Sequence, residues 1–127
     1  MQYLISEDAR YLFPDDSGVG YEEPVLIRAS VMKIYEIWAK SSHGDSFINS
    51  QGGVEKPDKL KNASEWIACE NEVWAPVIEL RVNDSKSFYF AEGRHTFIAL
   101  KNANFTCIDV AVRVSKQQDL LELFCCE

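Results

Sequence analysis

The residues best suited to chemistry stand at one junction, Phe90-Ala91-Glu92-Gly93-Arg94-His95-Thr96, where a strand-like run gives way to a helical one. A glycine at such a turn lets the backbone approach a ligand closely. The first N–H groups of the following helix then face whatever sits above the strand, and the helix dipole favours an anion there. Arg94 offers a two-pronged guanidinium to phosphate or carboxylate, and His95 can carry a proton near neutral pH. The chemistry implied is anion binding. The bland alternative is a solvent-facing Arg94 beside a His95 that ties the turn to the core. A motif this short leaves both readings open.

Other reactive residues form no such arrangement. His43 sits among Ser41, Ser42, Asp45 and Ser46, but neighbours in one loop do not by themselves assemble a catalytic triad. With His43 and His95 the only histidines, and no Cys-x-x-Cys pair among Cys69, Cys107, Cys125 and Cys126, no metal site and no cofactor are expected. The N-terminal run MQYLISEDARYLF has neither a basic leader nor a long apolar stretch. A cytoplasmic setting is therefore expected, with four free thiols, two of them in core segments.

Charge narrows the partners. Thirteen Lys and Arg against 20 Asp and Glu give a net charge of -7. Duplex nucleic acid requires a surplus of cations to replace phosphate counterions, and an anionic membrane repels an acidic surface. Neither is an expected partner. The sharpest surplus is Glu7, Asp8, Asp15, Asp16, Glu22 and Glu23 against Arg10 alone. This is either a solvated face or a docking surface for a basic protein, since opposite fields speed encounter. The candidate contact residues are Asp15, Asp16, Glu22 and Glu23, with Trp74 as a half-exposed aromatic anchor. Trp38 and Trp66 are expected in the core.

The elements that position these residues follow from periodicity. At 127 residues the chain makes one domain, 1–127. Val25-Leu26-Ile27 reads as a short buried strand. Ser30 caps a helix to about Ser41, with Val31, Ile34, Tyr35 and Trp38 on one face. Residues 42–57 break all periodicity. Asp58 opens a second helix, carrying Leu60, Ala63, Trp66 and Ile67 to about Glu70. A strand over 76–82, a tight turn at 83–86 and a returning strand over 87–91 make a hairpin. A helix then runs from Thr96 to Ala103, with Asn104 as a left-handed cap. A strand follows over 106–114, rich in β-branched residues. Asp109 is expected either on its exposed face or bound to a partner, the exposed position being favoured. Ser115 and Gln118 form a capping-box pattern before a last helix with Leu120, Leu121 and Phe124. This order predicts an α+β fold, a small mixed sheet with helices.

The run EGRHTFIALKNANFTCIDVAV, residues 92–112, resembles the signature of the ParB/sulfiredoxin-like superfamily: a strand, Gly-Arg-His-Arg or Gly-x-His-Arg, a helix with Ala-Leu, then a strand. Val73 to Leu80 is similar to the strand that leads into that motif, so the likeness spans 73–112. A looser similarity to plasmid fertility inhibition factors reaches the region of Trp38 to Phe47. The resemblance implies a small α/β fold whose motif helix cradles nucleotide phosphates, here through Gly93, Arg94, His95 and Thr96. The sulfiredoxin cysteine position is occupied by Arg94, so that chemistry is not expected. Thr96 replaces the second arginine, which removes one phosphate contact. ParB proteins also carry a helix-turn-helix domain, for which this chain has no room.

The expected function is thus a non-catalytic acidic binding protein that neutralises a basic toxin or nuclease, like a bacterial immunity protein of the contact-dependent inhibition type. The alternative is a ParB-like nucleotide- or phosphate-binding enzyme acting through the Gly-Arg-His-Thr turn.

Overall fold

A computed structural model describes residues 1–41, 44, 57–81 and 84–126, and the architecture is mixed α+β. A four-stranded sheet has the order β2-β6-β4-β5, with β2 Pro24–Ser30, β4 Val77–Arg81, β5 Asp84–Glu92 and β6 Cys107–Arg113. β2 runs antiparallel to β6, β6 parallel to β4, and β4 antiparallel to β5. A separate parallel pair joins β1 Gln2–Leu4 to β3 Glu72–Trp74. The helices are α1 Val31–Lys40, α2 Pro57–Cys69, α3 Arg94–Asn102 and α4 Gln117–Phe124.

The period of two along the strands separates the faces of the sheet. Ile78 opposes Phe90 and Leu80 opposes Phe88, while Glu79 opposes Tyr89 on the other side. The Phe88 face packs under α1, α3 and α4 through edge-to-face contacts. Trp38 meets Phe90 at 4.9 Å and Phe97 at 5.9 Å, and Phe88 meets Phe124 at 5.1 Å. Each such ring contributes about 1.5–3 kcal/mol by burial, and each pair about 0.5–1.5 kcal/mol more. The opposite face carries charge: Arg28 opposes Asp109, and Arg113 lies beside Glu79. The N-terminal residues cover part of it, with a 3-10 turn over Glu7–Leu12 that buries Ala9, and with Tyr3 and Phe13 also buried.

Local expectations hold where short-range chemistry decides. The Ser30 hydroxyl accepts from Lys33 N–H and starts α1, whose Val31, Ile34 and Trp38 are buried. Asn104 has φ +67° after α3. They fail where a distant group competes. Ser115 caps no helix: its backbone N–H donates to Glu22, residues Val114–Lys116 form a 3-10 turn, and Gln118 bonds Glu122. Helix α3 begins at Arg94, two residues before the expected start, and β5 begins at Asp84 within the expected turn. Residue 82, the expected end of the first strand, and residue 83 of the expected turn lie outside the described residues. Trp66 is 48% exposed rather than in the core: its indole N–H donates to the Glu72 carbonyl of β3 at 2.8 Å, at the rim of the two-stranded sheet.

The cysteines also differ from expectation. Cys107 and Cys126 form a disulfide, and neither is fully buried; Cys69 and Cys125 are free and exposed. The four-thiol reading fails because the chain end returns to the sheet. Cys125 forms a β-bridge with Ala29, and Lys33 Nζ donates to its carbonyl at 2.9 Å. Cys126 is thereby set beside the first residue of β6. No helix among the described residues is long and apolar enough to cross a membrane.

Two measurements check this arrangement. Thiol titration of the denatured protein should give two free groups before reduction and four after it. Reduction should lower stability by about 3 kcal/mol, the loop-closure value for a ring of this size; four thiols without reductant would contradict the pairing.

Candidate functional site

The Gly93 junction is built for close packing. Gly93 has φ +86°, and a Cβ there would lie 2.8 Å from the Cα of Pro76. The position therefore demands glycine because α3 must start against the β4 backbone, where Pro76 O accepts from Ala111 N–H at 2.8 Å. The close approach is made by the protein itself. His95 is half-buried, with Nε2 shielded from solvent. Arg94 and Thr96 line different concavities. Arg94 joins Trp38, Arg81, Tyr89 and Phe90 around a cavity of about 290 Å³. Thr96 lines another of about 280 Å³ with Trp66 and Trp74. Arg94 and Thr96 thus line separate hollows, and neither Gly93 nor His95 belongs to the described lining of either.

A larger concavity, of about 810 Å³, lies on the charged face of the sheet. Its lining includes Asp15, Asp16, Glu22, Glu79 and Asp119, with Arg81, Arg113 and Lys116 as cations. Its floor is a fixed ion cluster. Arg113 reaches Glu79 Oε2 at 2.7 Å and Glu22 Oε2 at 2.6 Å, and donates to Pro14 O at 2.7 Å. The guanidinium also lies 5.5 Å from the Phe13 ring centre. All three charged side chains are at most 17% exposed. Such a cluster is viable because every charge has a partner.

Electrostatics follow this geometry. Hydrogen bonds from Ser115 and Arg113 hold the Glu22 carboxyl below its ordinary value of 4.5. Burial works against the charge on Arg113, but Glu79 and Glu22 outweigh it and raise its pKa. Above this floor the rim is open. Asp16 and Asp119 are exposed, and Asp15 is held low by hydrogen bonds from Ser17, in a turn closed by Asp15 N–H to Gly20 O at 3.0 Å.

The structure thus brings Asp15, Asp16 and Glu22 together. Glu23 is exposed outside this concavity, its carbonyl accepting from Val114 N–H. Trp74, 57% exposed, lies on another surface beside Trp66. Asp109 is half-buried and paired with Arg28 at 3.3 Å, so its expected exposed position is modified by a partner. Of the His43 group, Ser41 closes α1 by donating to Trp38 O, while positions 42, 43, 45 and 46 lie outside the described residues. Sequence reasoning missed Arg113, Glu79 and Asp119. Glu79 alternates with Ile78 and Leu80 and so reads as an ordinary outward strand position; no local signal marks it as buried.

Replacing Arg113 with Met should destabilise the fold by about 3 kcal/mol in urea titration, because Glu79 then stays buried without its cation. Adding Glu79→Leu should restore most of that loss. Acid should act through Glu22. Its folded-state pKa is depressed, so its contribution is complete above about 4.5, the unfolded value, and disappears as pH falls through the lower folded value. A Glu22→Gln variant should show a weaker stability loss over that window.

No family model matches the chain, and no curated protein or solved structure is significantly similar to it.

Proposed function

We propose that this chain is a non-catalytic acidic binding protein that neutralises a basic protein partner, a toxin or nuclease, in the manner of bacterial immunity proteins. The observation that carries this reading is the open groove above the Arg113 cluster. Glu22 and Glu79 are engaged by Arg113, which fixes the floor, while the exposed Asp16 and Asp119 and the partly exposed Asp15 rim an open concavity. A rigid base with carboxylates around its mouth suits Lys and Arg side chains, which would otherwise engage nucleic-acid phosphate on the partner's own target. The net charge of -7 adds long-range attraction for the same class of partner.

The ParB-like alternative draws on Arg94 and the motif turn. Against it stand the close approach of Pro76 to Gly93 and the separation of Arg94 from Thr96. In calorimetry ATP and CTP should give no binding heat; binding abolished by Arg94→Ala would favour the alternative.

The groove itself is tested with a labelled Lys/Arg decapeptide. Asp15→Asn/Asp16→Asn/Asp119→Asn should weaken binding by about ten-fold at roughly 0.15 M salt. Glu36→Gln/Asp58→Asn/Glu65→Gln removes the same charge from exposed helix positions and should change binding by less than about two-fold. Equal losses in the two variants would reduce the effect to net charge and refute the groove as the site.

A further inference from the structure

The hollow that Thr96 lines is separate from the acidic groove, and the two share no described lining residue. It sits where three elements meet. Asn62 and Ala63 lie one turn before Trp66 on the same face of α2, Val73 and Trp74 come from β3, and Thr96 comes from the first turn of α3. Val73 is buried, whereas both tryptophans are about half exposed. Trp66 is nonetheless held in place, its indole N–H donating to Glu72 O at 2.8 Å. The one polar group of that ring is therefore satisfied within the chain, and what it leaves to a ligand is ring surface. The polar side chains of the hollow are in the opposite state. Among the described residues, neither the Asn62 amide nor the Thr96 hydroxyl has a hydrogen-bond partner.

We propose that this hollow binds one pyranose ring of a neutral sugar, between the two indoles and the Asn62 and Thr96 side chains. Each part of the wall narrows the occupant. Indole faces carry negative π charge and attract the weakly positive C–H groups on the flat side of a sugar ring. An apolar occupant, such as a leucine side chain, would cover the same rings. It would also strip water from Asn62 and Thr96 and return no hydrogen bond, which costs free energy. An anion would be repelled by a chain of charge -7. An ammonium group only donates, so it would leave the Asn62 NH₂ without an acceptor. Sugar hydroxyls donate and accept at once, as Asn62 and Thr96 do, and so satisfy both. The size agrees. A hollow of about 280 Å³ stands at the low end of the range for small-molecule sites, about 300–1,000 Å³, and holds one ring rather than a chain of them. This site goes beyond the binding reading given above and is independent of it.

The indole N–H resonances of isotope-labelled protein test it, because Trp66 and Trp74 line the hollow while the buried Trp38 does not. The probes are the methyl glycosides of glucose, galactose, mannose and N-acetylglucosamine. At least one should shift the Trp66 and Trp74 signals and leave Trp38 unmoved, with a Kd of about 1–10 mM. Asn62→Leu/Thr96→Val keeps the side-chain bulk and removes both polar groups. It should weaken glycoside binding by about ten-fold, while cyclohexanol, a similar ring with a single hydroxyl, should bind the variant as well or better. A merely apolar patch requires the reverse. Cyclohexanol would then bind the native protein more tightly than every glycoside, and glycosides would bind variant and native protein alike. Either result overturns the proposal. So does the absence of any shift of Trp66 or Trp74 at about 50 mM glycoside. Tighter binding of adenosine than of every glycoside also overturns it, in favour of a planar base on the indoles. Should the double variant not fold, Trp74→Ala changes an exposed side chain and should abolish the glycoside-induced shift of Trp66; an undiminished shift overturns the proposal.

Discussion

Three segments distant in sequence meet at the guanidinium of Arg113. It ends β6, pairs with Glu79 of the neighbouring strand, and draws in Glu22 and Pro14 from the N-terminal stretch. Without it the charged face of the sheet would hold a nearly buried carboxylate, and the N-terminal stretch would lose its polar anchor. Apolar contacts of Ala9, Phe13 and Tyr3 supply burial energy, but burial has no direction. The fork of hydrogen bonds around Arg113 adds the direction. That cluster places Asp15 and Asp16 beside Asp119, which lies a hundred residues further along the chain.

The two faces of the sheet therefore do different work. One is filled by aromatic rings from α1, α3 and α4 and contributes stability. The other keeps its charges, half covered by the N-terminal stretch and half open as the groove. Among the described residues β5 is the outer strand of the sheet, and its Arg81-facing Tyr89 lines the groove. The carboxylates of this face divide into two sets. One is engaged by Arg113, and the other is held at the mouth of a concavity.

Much of the secondary structure was legible because it rests on short-range rules. The apolar spacing of Val31, Ile34 and Trp38, the Ser30 cap and the left-handed Asn104 all depend on residues a few positions apart. The three-residue strands β1 and β3 were not legible, since a run so short has no period. Nor was the fate of Ser115, whose capping pattern was overridden by a carboxylate from Glu22. Gly93 is the instructive case. Its type announced a close approach, and a close approach is there, but the approaching group is Pro76.

By itself the sequence determined the α+β class, most of the core helices and strands, and a net charge of -7. These follow from composition and from contacts local along the chain. Only the tertiary structure decided which charges are engaged and which remain open. It also decided that Arg94 and Thr96 face different hollows, that Cys107 meets Cys126, and that Trp66 and Trp74 lie outside the core. Each of these depends on strand order and on the return of a chain end. Pairing between distant segments is set by the packing of the whole sheet, and no local pattern records it.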